Sequence, residues 1–152
     1  MRQPSLGKLL SLINRMNQRR LAGRLKEYGI GGGGVHSYLK VILHNPGLTQ
    51  EELTTDLKFD KATTTRSVRQ LEEAGYIERK VDEKDRRSYR LYPTAKGREF
   101  APVLSAILKE SNDRLSRDLT EHEQEQLLSL LLKVYESMNR ESEESLPPGQ
   151  EK

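Results

Sequence analysis

Asp60-Lys61-Ala62-Thr63-Thr64-Thr65-Arg66-Ser67-Val68-Arg69-Gln70-Leu71-Glu72-Glu73-Ala74-Gly75-Tyr76-Ile77-Glu78-Arg79-Lys80-Val81 carries two hydrophobic periods in succession. Up to Gly75 the spacing is helical. On a helical wheel Thr64, Val68, Leu71 and Gly75 gather on one side, while Thr63, Arg66, Gln70 and, at the margins, Lys61 and Arg69 lie away from it. Asp60 is a good N-cap and Gly75 a preferred helix terminator, so a helix is expected over 61–74. Beyond Gly75 the period falls to two. Residues 76–81 read as a strand, Asp82-Glu83-Lys84-Asp85-Arg86-Arg87 as a charged turn and 88–92 as the returning strand of a β-hairpin.

Upstream, Thr49 followed three residues later by Glu52 is a capping box, with Leu48 and Leu53 placed to form a hydrophobic staple around it. That predicts a short helix over 50–57, joined to the next by Lys58, Phe59 and Asp60, as in a helix-turn-helix. A helix over 35–44, ended by Asn45-Pro46-Gly47, precedes it. Before that, Leu6, Leu9, Leu10, Ile13, Met16, Leu21, Leu25 and Tyr28 mark a long amphipathic helix that stops at the glycine-rich run 29–34. Downstream, Pro93-Thr94 closes the hairpin, and a helix is expected over 95–118. A last helix starts at the capping box Thr120/Glu123 and carries Leu127, Leu128, Leu130, Leu131 and Leu132. Five leucines in six positions are too broad an apolar surface for an exposed helix, and a second subunit is the expected cover. From Glu141 the chain turns polar and is expected to fray.

Composition narrows the function. There is no cysteine, which excludes a disulfide framework, thiolate metal sites and thiol redox chemistry. His36, His44 and His122 have no ligand-spaced partner, so no metal or other cofactor is expected. No run approaches the ~20 apolar residues of a membrane span, nor is there a secretory leader pattern; a soluble, cytoplasmic protein is expected. The four glycines at 31–34 lack the Lys-Ser/Thr pair of a phosphate loop and read better as a flexible joint. Residues 1–30 hold seven Lys/Arg against one acid, residues 61–98 eleven against six, and residues 110–152 five against eleven. A basic segment coinciding with a helix-turn-helix and a hairpin suits a polyanion. Threonine, arginine and glutamine on the exposed side of the 61–74 helix are groups that read major-groove edges or hold phosphates. At the hairpin tip an acid two residues before an arginine can hold the guanidinium for a minor groove; a solvated hairpin with an internal ion pair is the other reading. No nucleophile–base pair or cofactor loop appears, so no enzyme activity is expected.

From Leu48 to Gly97 the chain resembles the MarR family of winged-helix transcription regulators. The resemblance rests on Gln50-Glu51-Glu52-Leu53, on Thr63 to Arg66, on Leu71-Glu72-Glu73-Ala74-Gly75-Tyr76-Ile77-Glu78-Arg79, and on Asp82, Asp85-Arg86-Arg87 and Leu91-Tyr92-Pro93-Thr94-Ala95-Lys96-Gly97. Pro93 stands where leucine or valine is more usual. The resemblance implies a mostly α fold with a small β-hairpin: a winged helix-turn-helix over 35–97, flanked by dimerisation helices over 1–30 and 98–145, with a flexible tail over 146–152. It also implies an obligate homodimer on a pseudo-palindromic operator, acting as a repressor. Thr63, Thr65 and Arg66 would enter the major groove, and Arg87, oriented by Asp85, the minor groove. With their neighbours Lys61, Arg69, Gln70, Lys84 and Arg86, these form the expected DNA-binding set. A crevice near Lys8, Arg15, His36 and Tyr38 would take a small phenolic or anionic effector. The competing reading is a winged-helix protein-interaction module without specific DNA binding.

Overall fold

The computed structural model describes residues 2–145. In chain order the elements are α1 (Leu6–Leu25), a 3-10 turn (Lys26–Tyr28), α2 (Val35–His44), β1 (Leu48–Thr49), α3 (Gln50–Leu57), α4 (Lys61–Glu73), β2 (Ile77–Val81), β3 (Tyr89–Pro93), α5 (Ala95–Ser116) and α6 (Glu121–Glu144). The chain forms two compact units, one ending at Ser111 and the other beginning at Asn112.

Local chemistry sets most boundaries. At Thr49 and at Thr120 the threonine hydroxyl accepts from the main-chain N–H three residues on, while Glu52 and Glu123 reach back to the cap N–H, so both capping boxes are complete. Removing two orphan donors at each start makes those helix beginnings independent of distant contacts. Downstream, α6 runs to Glu144 rather than fraying at Glu141, because Glu141, Ser142, Glu143 and Glu144 include no helix breaker and the Ser145 hydroxyl donates to the Glu141 carbonyl. The tail expected over 146–152 lies outside the described residues.

The sheet has three strands, not the two of the expected hairpin. Its antiparallel order is β1-β3-β2. Leu48 and Thr49, read from sequence as a staple and a cap, also pair with Leu91 and Arg90, and the Gly47 N–H donates to the Leu91 carbonyl at 2.8 Å. A two-residue strand has no periodicity to detect, and β3 supplies the reason for it. Between β2 and β3 the register runs from Ile77 opposite Pro93 to Val81 opposite Tyr89. The buried ends, Ile77 and Pro93, face the helices, and the strands become exposed toward the hairpin tip.

One core ties the first unit together. Leu21 and Leu25 of α1, Val35, Tyr38, Leu39 and Ile42 of α2, Leu53 of α3, Val68 and Leu71 of α4, Ile77 and Leu91 of the sheet, Phe100, Leu104 and Ile107 of α5, and the connecting residues Ile30 and Tyr76 are all buried. Phe100 is flanked by Tyr28 and Tyr76, each with its ring centroid 4.9 Å away. The Tyr76 hydroxyl donates to the Tyr28 carbonyl at 2.7 Å. Arg24 pairs with Glu110, and the Ser111 hydroxyl donates to Asn17 Oδ1 at 2.6 Å, joining α1 to α5. The glycine run, read from sequence as a flexible joint, is closely packed at Gly31 and Gly32, while Gly33 is open. A Cβ on Gly32 would lie 2.7 Å from Gln70 Oε1, and one on Gly31 would lie 3.0 Å from Lys26 Cα.

Outside this core two helices leave large apolar side chains in solvent. On α1 these are Leu6, Leu9, Leu10, Leu12, Ile13 and Met16; on α6 they include Leu127, Leu128, Leu130, Leu132, Tyr135 and Met138.

Gly97 is where α5 meets the sheet most closely. A Cβ there would sit 2.2 Å from the Tyr76 carbonyl oxygen, which is main chain and cannot swing aside. Gly97→Ala is therefore expected to push α5 off β2 and to cost about 1–3 kcal/mol, read as a lower urea midpoint at unchanged m-value. An unaltered midpoint would mean that the close approach is relieved at no cost.

Candidate nucleic-acid interface

The site grows from the start of α4. Asp60 accepts the Thr63 N–H at 2.7 Å on Oδ1 and the Thr63 hydroxyl at 2.9 Å on Oδ2. Those bonds, the main-chain one first, hold the Asp60 carboxyl below the usual aspartate range. Thr64 faces inward and is fully buried. Its oxygen lies 3.1 Å from the Tyr38 hydroxyl, 2.9 Å from the Thr54 hydroxyl and 3.1 Å from the Asp60 carbonyl. With Thr64, Ser67, Val68 and Leu71 turned inward, helical geometry sends Lys61, Thr65, Arg66 and Arg69 to the exposed side; of the residues that the wheel placed outward, Arg66, Lys61 and Arg69 are there, while Thr63 and Gln70 are half-buried.

Most of the expected α4 residues have specific partners. Thr65 donates its hydroxyl proton to the Lys61 carbonyl at 2.9 Å and accepts from Gln50 Nε2 at 2.7 Å. Thr63 is half-buried, engaged with Asp60 and contacted by Arg66 Nη2 at 3.4 Å. Gln70 is half-buried and its amide donates to the Gly29 carbonyl at 3.3 Å, so it faces the end of α1 rather than the side that carries Arg66. Arg69 forms an exposed ion pair with Glu73 at 3.3 Å.

The wing is built from two aspartate turns in series. Asp82 accepts the Lys84 N–H at 3.0 Å, and Asp85 accepts the Arg87 N–H at 3.1 Å. Sequence reasoning expected Asp85 to hold the Arg87 guanidinium. The structure instead puts that carboxylate on the Arg87 main chain, because in a tight turn the N–H two residues on is the nearest donor. The acid–guanidinium pair of the wing is Asp82 with Arg90, at 3.2 Å across the hairpin, and Arg90 Nη1 also donates to the Gly47 carbonyl at 2.8 Å. The Lys84 N–H first, and then Arg90, hold the Asp82 carboxyl low. At the other end of the hairpin Arg79 pairs with Glu72 at 2.7 Å, binding β2 to α4. Lys84, Arg86 and Arg87 at the tip are exposed.

Sequence reasoning missed Gln50, Asp82 and Arg90 as parts of the site. The hairpin register sets Arg90 opposite Lys80, and Asp82, opposite Ser88, is its diagonal neighbour, a relation the sequence shows only once the register is known. Nothing local pointed from Gln50 to Thr65, fifteen residues apart.

The expected effector crevice is altered. Tyr38 is fully buried, with its hydroxyl engaged by Thr64 and its ring stacked on Phe59 at 5.6 Å, so it lines no opening. His36 is also buried, and burial first, then nearby Lys40, pushes its imidazole pKa down. An open cavity of about 340 Å³ lies instead between α2 and α5, lined by Lys40, His44 and Arg98 together with Leu43, Leu104 and Leu108.

A helix-turn-helix followed by a wing braced at both ends defines a winged-helix protein, and comparison with known proteins agrees. Residues 28–88 match the MarR family. An HTH-type transcriptional regulator of Bacillus subtilis (strain 168), YybA, is 33% identical over 110 residues, covering 72% of this chain and 73% of its own. Among solved structures, a MarR transcriptional regulator from Methanosarcina mazei Go1 superposes with a TM-score of 0.83 at 32% identity, covering 89% of this chain and 96% of that one. A putative MarR family transcriptional regulator from Listeria monocytogenes, solved in complex with a 26mer DNA, gives a TM-score of 0.82 at 26% identity over 97% of this chain and 99% of that one. The chain belongs to the MarR family. It is a winged-helix, DNA-binding transcriptional regulator, not an enzyme.

Asp82→Ala is expected to free the wing without unfolding the protein. Under native conditions, tryptic cutting after Arg86 and Arg87 should run several-fold faster than in the wild type, with little change in Tm. Equal cutting rates would mean that the Asp82–Arg90 pair is not what holds the wing.

Proposed function

We propose that this protein is a homodimeric repressor that binds a pseudo-palindromic operator, with α4 in the major groove and the wing arginine Arg87 in the minor groove. The observation that carries this reading is the division of α4. One side is locked into the core through Thr64, Val68 and Leu71, while Lys61, Thr65, Arg66 and Arg69 remain exposed beside a braced wing bearing Lys84, Arg86 and Arg87. Cations carried on two held elements, a packed helix and a braced hairpin, suit duplex DNA better than a mobile basic tail would, because base readout requires held geometry and phosphate contacts require charge. That the Listeria relative was solved in complex with a 26mer DNA supports DNA as the partner.

The terminal helices pair the copies. Residues 1–30 and 98–145 serve dimerisation and 35–97 serve DNA reading. The exposed leucines of α1 and α6 are the support, since a free helix carrying that much apolar surface would be poorly soluble. Two lobes about 34 Å apart would then meet successive half-sites on one side of the duplex. The cavity between α2 and α5, with three cationic or titratable groups over apolar walls, has the chemistry to hold a small aromatic anion that releases the operator. The protein acts where the operator is, in the cytoplasm; no helix among the described residues is long and apolar enough to cross a membrane.

Binding-site selection from random DNA should recover an inverted repeat. On that site Arg66→Ala is expected to lose affinity on the order of tenfold. Arg87→Ala should lose affinity too, with the salt slope falling by about 1. A protein-interaction module would leave both variants within about threefold of wild type, the scatter of non-specific binding. In the dimer test, wild type should sediment as a dimer and Leu128→Glu with Leu132→Glu as a monomer, and operator affinity should drop by a factor on the order of 100. A wild type that sediments as a monomer ends the two-lobe reading.

A further inference from the structure

A threonine hydroxyl has one proton to give and two lone pairs to offer. On Thr65 the proton goes to the Lys61 carbonyl at 2.9 Å, and one lone pair is taken by Gln50 Nε2 at 2.7 Å. On Thr63 the proton goes to Asp60 Oδ2 at 2.9 Å. Neither residue can therefore donate to the acceptors that the major groove displays, which are purine N7, guanine O6 and thymine O4. With Oγ1 turned back onto the carbonyl of the preceding turn, χ1 is set, and the position of the Cγ2 methyl is set with it. Thr65 is exposed, whereas Thr63 is half-buried, so Thr65 is the one whose methyl is available to a partner. Gln50, at the first position of α3 just inside the Thr49–Glu52 capping box, reaches across the helix-turn-helix to hold it.

We propose that Thr65 selects thymine through its Cγ2 methyl group, which packs against the thymine C5-methyl in the major groove while the hydroxyl stays committed to Gln50 and the Lys61 main chain. This rests on α4 being the major-groove reader. The selection is by apolar contact. It favours thymine over cytosine, which presents an amino group and no methyl, and gains nothing from the acceptor edges of the purines.

The test uses the full-length protein and the operator recovered by selection. Each thymine of the half-site is replaced in turn, in both half-sites, by deoxyuridine, which removes only the C5-methyl. One position is expected to weaken binding about fourfold per half-site, the value of one buried methyl group. Thr65→Val keeps a methyl on Cβ and discards the hydroxyl; it should bind the thymine operator nearly as well as wild type and keep the deoxyuridine penalty. Thr65→Ser keeps the hydroxyl and discards the methyl, and the penalty should vanish at that position alone. Threonine, valine and serine differ little in helix propensity, so both variants should melt close to wild type, which a thermal scan verifies. The inference is overturned if no thymine shows a penalty, if Thr65→Ser retains it, or if Thr65→Val loses it. Selection that returns no preferred site overturns the DNA-reading assignment as well; a preferred site indifferent to deoxyuridine overturns the thymine contact alone.

Discussion

The hydroxyl of Thr64 is the point at which three helices of the winged-helix unit meet. It lies within hydrogen-bond distance of Tyr38 on α2, Thr54 on α3 and the Asp60 carbonyl at the start of α4. Thr64 donates to the Asp60 carbonyl and accepts from the other two hydroxyls, the Thr54 proton being shared with the Gln50 carbonyl at 3.0 Å. A buried hydroxyl left unpaired would cost about 1–3 kcal/mol, whereas each bond made is worth only about 1 kcal/mol net. The larger effect is therefore directional. Any rotation of α4 about its axis breaks the set, and rotation is what would exchange the inward residues for Thr65 and Arg66. The rotational setting of α4 is determined by a polar contact, inside a core whose apolar contacts alone would tolerate more freedom.

The wing follows the same logic with charges at the surface. The bonds of Asp82 to Arg90, Arg90 to Gly47 and Glu72 to Arg79 lie in exposed or half-exposed positions, where solvent screening makes ion pairs weak contributors to stability. Their effect is positional. Arg90 ties the hairpin to the corner between α2 and α3, and Arg79 ties its base to α4, so the tip is carried as part of the same body as the helix. Lys80 over Tyr92, at 4.9 Å from the ring centroid, and Arg79 over Tyr89, at 5.7 Å, place two more cations on aromatic faces along the strands.

Between α1 and the winged helix, Tyr28 and Gly29 form the junction. Their carbonyls accept from Tyr76 and Gln70, and Phe100 of α5 packs on both tyrosines. The glycines that follow matter for their missing side chains, because Gln70 occupies the space a Cβ on Gly32 would need.

Much of this was present in the amino-acid sequence alone, wherever the physics is local. Thr49 with Glu52, Thr120 with Glu123, Asp60 and Gly75 set helix ends through bonds within a few residues, and those boundaries hold in the fold. The change of period at Gly75 placed the strands, and the wheel of the fourth helix separated Thr64, Val68 and Leu71 from Arg66. Tertiary structure decided whatever depends on a partner far along the chain. The strand at Leu48 exists because of Leu91, Thr65 is oriented by Gln50, Gln70 turns to Gly29, Tyr38 is held by Thr64, and Asp82 rather than Asp85 takes a guanidinium. Spacing along a chain fixes which face a side chain occupies, but which of several donors on that face it meets depends on distances that exist only once the helices and strands have packed.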